Sequence, residues 1–175
     1  NVQSRVPCGV ADMLIAQKEC EFCDALRSAA GIVVNALSDT ETVVAGDKAG
    51  IAVRVFAPET TNARVVSAII NAPNGWTVNN TSAPDVPTVG FRPRNEAALN
   101  AYYFDLTVPA NQSPTQPYWL ESPRQNFAFD WSAVDAEKNM PFQSPLASAE
   151  VKLNLLHTQF TVIQPINSVY AYYIS

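Results

Sequence analysis

The densest chemistry in this sequence is a pair of thiols, in Cys20-Glu21-Phe22-Cys23. Two cysteines at this C-x-x-C spacing serve disulfide exchange or zinc binding. The redox form sits where a strand hands over to a helix, so that the helix N-terminus favours the thiolate. Here the pair falls in the middle of a predicted helix with no strand before it. Zinc requires a second pair of ligands, and only Cys8 lies nearby. Packing thiols are the preferred reading, followed by a bridge from Cys8 to one of the pair, with metal and redox roles last. Three cysteines leave at least one thiol unpaired within the chain.

Other chemistry is thinner still. The one histidine, His157, falls between two strand-like runs and reads as a surface turn residue. A Ser-His-Asp triad would have to run through it, and no Gly-x-Ser-x-Gly elbow accompanies it. No Gly-x-Gly-x-x-Gly and no phosphate-binding loop occur. Asp39, Glu41 and Asp47 lack the alternating pattern of a calcium loop and read as solvated charges. Asn79-Asn80-Thr81-Ser82 holds two overlapping glycosylation sequons, which suit an exposed loop. No cofactor is expected.

Aromatic side chains are the remaining candidates for binding. Trp76, Trp119, Trp131, Tyr118 and the terminal tyrosines have rings that would stack on sugars. Core or interdomain packing is the preferred use, because strand alternation sets most of them among aliphatic neighbours. Tyr118 and Trp119 are expected to anchor the fold or an interface, with Trp76 the exposed contact.

These side chains need elements to hold them, and the clearest element is a strand. In residues 100–108, Tyr102, Phe104, Leu106 and Val108 point one way and Ala101, Tyr103, Asp105 and Thr107 the other. Pro109 ends the run because it offers no N–H to a ladder. A polar connection then leads to Pro117-Tyr118-Trp119-Leu120, a short aromatic run expected to cross into a facing sheet. Upstream, residues 9–30 carry Ile15, Phe22, Cys23, Leu26, Ala29 and Ala30 at helical spacing, with Gly31 as the cap. Strands are expected over residues 32–37, 41–44 and 51–56. Residues 65–70 are apolar on both faces, as a covered central strand would be.

Pro73-Asn74-Gly75 reads as a turn into a short strand at Trp76, and residues 79–98 as a long loop. Residues 126–131 place Phe127, Phe129 and Trp131 on one face. Residues 149–155 and 158–163 form a hairpin about His157, and residues 169–174 end the chain as a tyrosine-rich strand. Nine or ten short strands point to an all-β antiparallel β-sandwich with an N-terminal helix. Residues 1–30 are the helical connector and 31–175 the sandwich domain.

Composition supports a globular domain of 175 residues, 47% of them hydrophobic. Charge is sparse at 15%, with a net of −5 and a pI near 4.8. The eleven basic residues are scattered, which argues against nucleic acid as a partner. No apolar run is long enough to span a membrane. The chain opens at Asn1 with no leader-like stretch and is read as a mature or excised piece.

A set of motifs in order carries a family resemblance. Asp24-Ala25-Leu26-Arg27-Ser28-Ala29-Ala30-Gly31-Ile32 leads through Ala36-Leu37-Ser38-Asp39 to Val43-Val44-Ala45-Gly46-Asp47. Val53-Arg54-Val55 and Ala72-Pro73-Asn74-Gly75-Trp76-Thr77-Val78 follow, then Thr107-Val108-Pro109 and Gln116-Pro117-Tyr118-Trp119-Leu120. Over residues 24–174 this order resembles the β-sandwich region that follows the catalytic domain in large bacterial PIG-L (LmbE-like) deacetylases. The Pro-x-Gly-Trp turn and the Thr-Val-Pro strand end are also similar to Ig-like modules attached to secreted glycosidases.

The resemblance implies a non-catalytic, Ig-like antiparallel β-sandwich with an N-terminal helix, an accessory domain of an N-acetyl-sugar deacetylase found outside the cell or in the periplasm. Its partner would be the zinc-bearing catalytic domain of the same polypeptide, with a polysaccharide or glycoconjugate as a further partner. That catalytic domain is marked by a His-Pro-Asp-Asp motif and a downstream histidine. Neither is present here, so no catalytic or metal residue carries over. The helix at 9–30 would be the connector, and the end at Ser175 suggests a further segment beyond it. Alternatives are a stand-alone carbohydrate-binding module using Trp76, Tyr118 and Trp119, or a structural adhesion module pairing through residues 170–174.

Overall fold

The computed structural model describes residues 10–82, 100–129 and 145–168. The first element is a helix, α1 (Val10–Ala29). It stops at Gly31, whose φ of +65° is a conformation that side chains with a Cβ disfavour. The Gly31 N–H donates to the Ser28 carbonyl at 3.1 Å and the Ile32 N–H to that of Arg27 at 3.0 Å. These are the paired bonds of a Schellman cap. Among the described residues, α1 reaches the core through its last turns. Cys23 and Ala30 pack on the core, whereas Ile15 and Phe22 stay exposed.

Eight strands follow among the described residues: β1 (Val33–Ser38), β2 (Lys48–Phe56), β3 (Arg64–Asn71), β4 (Thr77–Thr81), β5 (Asn100–Thr107), β6 (Ser148–Leu155), β7 (Thr158–Pro165) and β8 (Asn167–Ser168). One sheet has the order β4-β5-β2-β1-β8 and the other β3-β6-β7. Every pairing is antiparallel except β1 with β8. Both sheets feed one core. Val34, Ile51, Val53, Val55, Phe104 and Leu106 come from the first, and Ala149, Val151, Leu153, Leu155, Phe160 and Val162 from the second. The result is β-sandwich-like, with two layers closed on shared apolar side chains.

Local sequence explains the regular parts. In β5, Phe104 and Leu106 are buried, as is Val108 just beyond it, and Tyr102 packs on the same cluster. In β6, Ala149, Val151, Leu153 and Leu155 are buried while Glu150, Lys152 and Asn154 face outward. Leu156 and His157, at φ 49° and 70°, make the two-residue turn that fixes the β6–β7 register. Gly75 at φ +88° lets the Trp76 N–H return to the Pro73 carbonyl at 3.2 Å, opening β4. Each fully buried Val, Ile or Leu is worth about 1.5–3 kcal/mol before ordering entropy is subtracted.

Several expectations need correction. Residues 41–44 form a loop, because Val43-Val44 is too short a run to alternate before the Gly46 turn, and Val44 is exposed. The run at 65–70 is not a covered central strand among the described residues: there β3 pairs with β6 alone, and Val66 and Ile69 are exposed. Asn79, Asn80 and Thr81 continue β4 instead of opening a loop. Residues 118–120 form a 3-10 turn (Tyr118–Leu120) and do not cross between sheets, since the prolines around them deny ladder bonds. Residues 125–128 close an isolated bridge with Phe127 wholly exposed, so no strand presents Phe127 and Phe129 on a common inward face. Trp131, Cys8, most of the 79–98 stretch and residues 169–174 lie outside the described residues.

Candidate functional site

The thiols come first, as in the sequence. Cys20 and Cys23 are both free, one turn apart on α1, with Cys20 exposed and Cys23 half-buried on the core. Among the described residues, no group of three or more His, Cys, Asp or Glu side chains is placed to hold a metal ion. His157 sits exposed at the tip of the β6–β7 turn.

Asp39 has a structural task. Its Oδ1 accepts the Gly50 N–H at 3.0 Å, while its own N–H donates to the Gly50 carbonyl at 3.0 Å. This closes the base of the β1–β2 loop. Asp39 and Asp47 line one shallow depression there with Thr40, Thr42 and Lys48.

The aromatic candidates sit in different settings. Trp76, expected as the exposed contact, is half-buried against the core. Its Nε1–H donates to Gln112 Oε1 at 3.0 Å, and the Gln112 N–H donates to the Pro109 carbonyl at 3.1 Å. The indole therefore ties the start of β4 to the turn after β5. Trp119, expected as the anchor, is 39% exposed, and Leu120 beside it is 46% exposed. Both lie outside the core cluster that holds Trp76. Tyr118 opens the same 3-10 turn. Trp76 and the Tyr118–Trp119 pair thus stand on different elements, at the start of β4 and in the connection after β5.

One feature escaped the reading of the sequence. A groove of about 530 Å³ runs between β3 and the β4–β5 pair. Ser67 and Ala68 form one wall, Asn80, Thr81 and Ser82 the other, and Tyr102 and Phe104 contribute from β5. Among the described residues, no charged side chain lines it. The available signal was the 65–70 run, apolar on both faces.

α1 presents the other unusual surface. Leu14, Ile15 and Phe22 are 51%, 61% and 75% exposed on a helix that, among the described residues, packs on the core through Cys23 and Ala30. No helix among the described residues is long and apolar enough to cross a membrane. No protein-family model matches the chain, and neither a curated protein nor a solved structure matches it.

Proposed function

We propose that this chain is a non-catalytic, Ig-like accessory domain that scaffolds the catalytic domain of a PIG-L-type N-acetyl-sugar deacetylase within one polypeptide. The observation that supports this reading is the state of α1. A 20-residue helix with Leu14, Ile15 and Phe22 in solvent carries an apolar face that the sandwich leaves uncovered. A preceding domain packed on α1 would cover that face, making the helix a rigid connector between the two. The motif order over residues 24–174 supplies the family in this reading, and the same likeness suggests work outside the cell or in the periplasm on a polysaccharide or glycoconjugate.

Metal analysis and an acetate-release assay test the reading together. The purified chain is expected to carry no stoichiometric zinc and to release no acetate from N-acetylglucosamine oligomers. Stoichiometric zinc would overturn it. In a polypeptide that also carries the catalytic domain, Ile15→Lys with Phe22→Lys should split one melting transition into two. A single unchanged transition counts against the connector role.

A second reading, a carbohydrate-binding module, draws on the exposure of Trp119 beside Leu120. It requires Trp119 fluorescence to respond to oligosaccharide and the response to vanish in Trp119→Ala. Silence in that titration removes it.

A further inference from the structure

We propose that Cys20 and Cys23 are a redox-sensitive pair: a small-molecule disulfide oxidises them to a bridge within α1, which draws Cys23 off the core and loosens the seat of the helix. This goes beyond the accessory role and does not depend on it.

The two thiols are free but differ in setting. Cys20 is exposed, and Cys23 is half-buried. Among the described residues of α1 itself, Cys23 is the apolar side chain packed on the core cluster, and Ala30 joins it just past the last turn. One sulfur therefore meets any reagent in solution, while the other helps to hold the helix in place.

Helix geometry brings the pair within reach without joining it. Residues three apart in a helix have Cα atoms about 5 Å apart, inside the range that a disulfide spans. Their Cβ atoms are about 5–6 Å apart, whereas a bridged pair needs about 4 Å. Closing that gap swings the two side chains toward each other across the helix surface. Cys23 is the one that gives up contacts, since Cys20 already lies in solvent. A bridge closed against such strain is readily reduced again, which suits a switch better than a permanent staple.

The exchange chemistry balances within the pair and its oxidant. Cys20 reacts first because it is the accessible thiol. As a thiolate it attacks one sulfur of the small disulfide, forming a mixed disulfide and expelling one thiolate. Cys23 then attacks the Cys20 sulfur, closing the bridge and expelling the second. Two electrons pass to the small disulfide, and the protons of both cysteines leave with the thiols it becomes. The pair lies well inside a helix that begins at Val10, away from the helix N-terminus that activates exchange catalysts. It is thus a target of thiol exchange and not an agent of it.

The full chain is equilibrated with glutathione and glutathione disulfide, quenched by alkylation and cleaved after Glu21, which lies between the two cysteines. The expected product is a pair of peptides joined through Cys20 and Cys23, with Cys8 alkylated. Amide exchange over residues 23–30 should be about tenfold faster in the oxidised chain, and dithiothreitol should restore the slower rate. Cys8→Ser should leave both results unchanged. In that background, Cys20→Ser should take up glutathione about tenfold more slowly than Cys23→Ala, because only the half-buried thiol remains. Three results overturn the proposal: a bridge from Cys8 to either partner, no bridge at any ratio of the two glutathiones, or a bridge that leaves exchange over residues 23–30 unchanged. Equal uptake by the two variants would also overturn it, because the order of attack would then be lost.

Discussion

β6 and β3 are neighbours in one sheet, of equal length, and both rich in aliphatic residues, yet the molecule treats them differently. β6 alternates, so its four apolar side chains are buried and its charged ones face solvent. β3 is apolar on both faces and buries none of its residues fully. The difference lies in neighbours. Among the described residues, β6 has a strand on each side and β3 has one. Alternation commits a strand to one inner face, whereas a continuous apolar run commits it to none and depends on what lies beside it.

Substitutions should separate the two strands by size of effect. Leu153→Ala, at a fully buried position in β6, is expected to cost about 2–5 kcal/mol in chemical denaturation. A loss under about 1 kcal/mol would mean that β6 is not at the centre of the core. The turn that locks β6 to β7 gives an intermediate effect of opposite sign. His157→Gly relieves a left-handed residue and should stabilise by about 0.5–1 kcal/mol, after allowing for the freedom glycine adds to the unfolded chain. Destabilisation there would argue against the positive φ. Ile69→Thr on the outer face of β3 should shift stability by no more than about 0.5 kcal/mol. A loss as large as that of Leu153→Ala would show that something already covers β3.

Much of the frame was legible from side-chain pattern alone. The alternation in β5 named its inward residues, the runs at 51–56 and 149–155 located β2 and β6, and the Gly31 cap and the His157 turn fell where backbone chemistry required them. Strand adjacency was not legible. The 65–70 run reads as a central strand because composition reports how apolar both faces are, not how many strands pair alongside. The setting of Trp76 was hidden for a related reason. An indole suits a core and a surface equally well, and the bond from Trp76 to Gln112 joins residues 36 positions apart that no local pattern connects. The groove, built from three strands at the overhang of one sheet, was hidden behind the same two gaps.

Hydrogen exchange of the unliganded chain, read amide by amide, tests the central claim that, among the described residues, β6 is a fully paired strand and β3 an open edge. The account predicts that amides on both sides of β6 exchange only through global unfolding. In β3, those facing β6 should be slow and those facing outward fast, in alternation. Uniformly slow exchange along Ser67–Asn71, equal to that of β6, would contradict it.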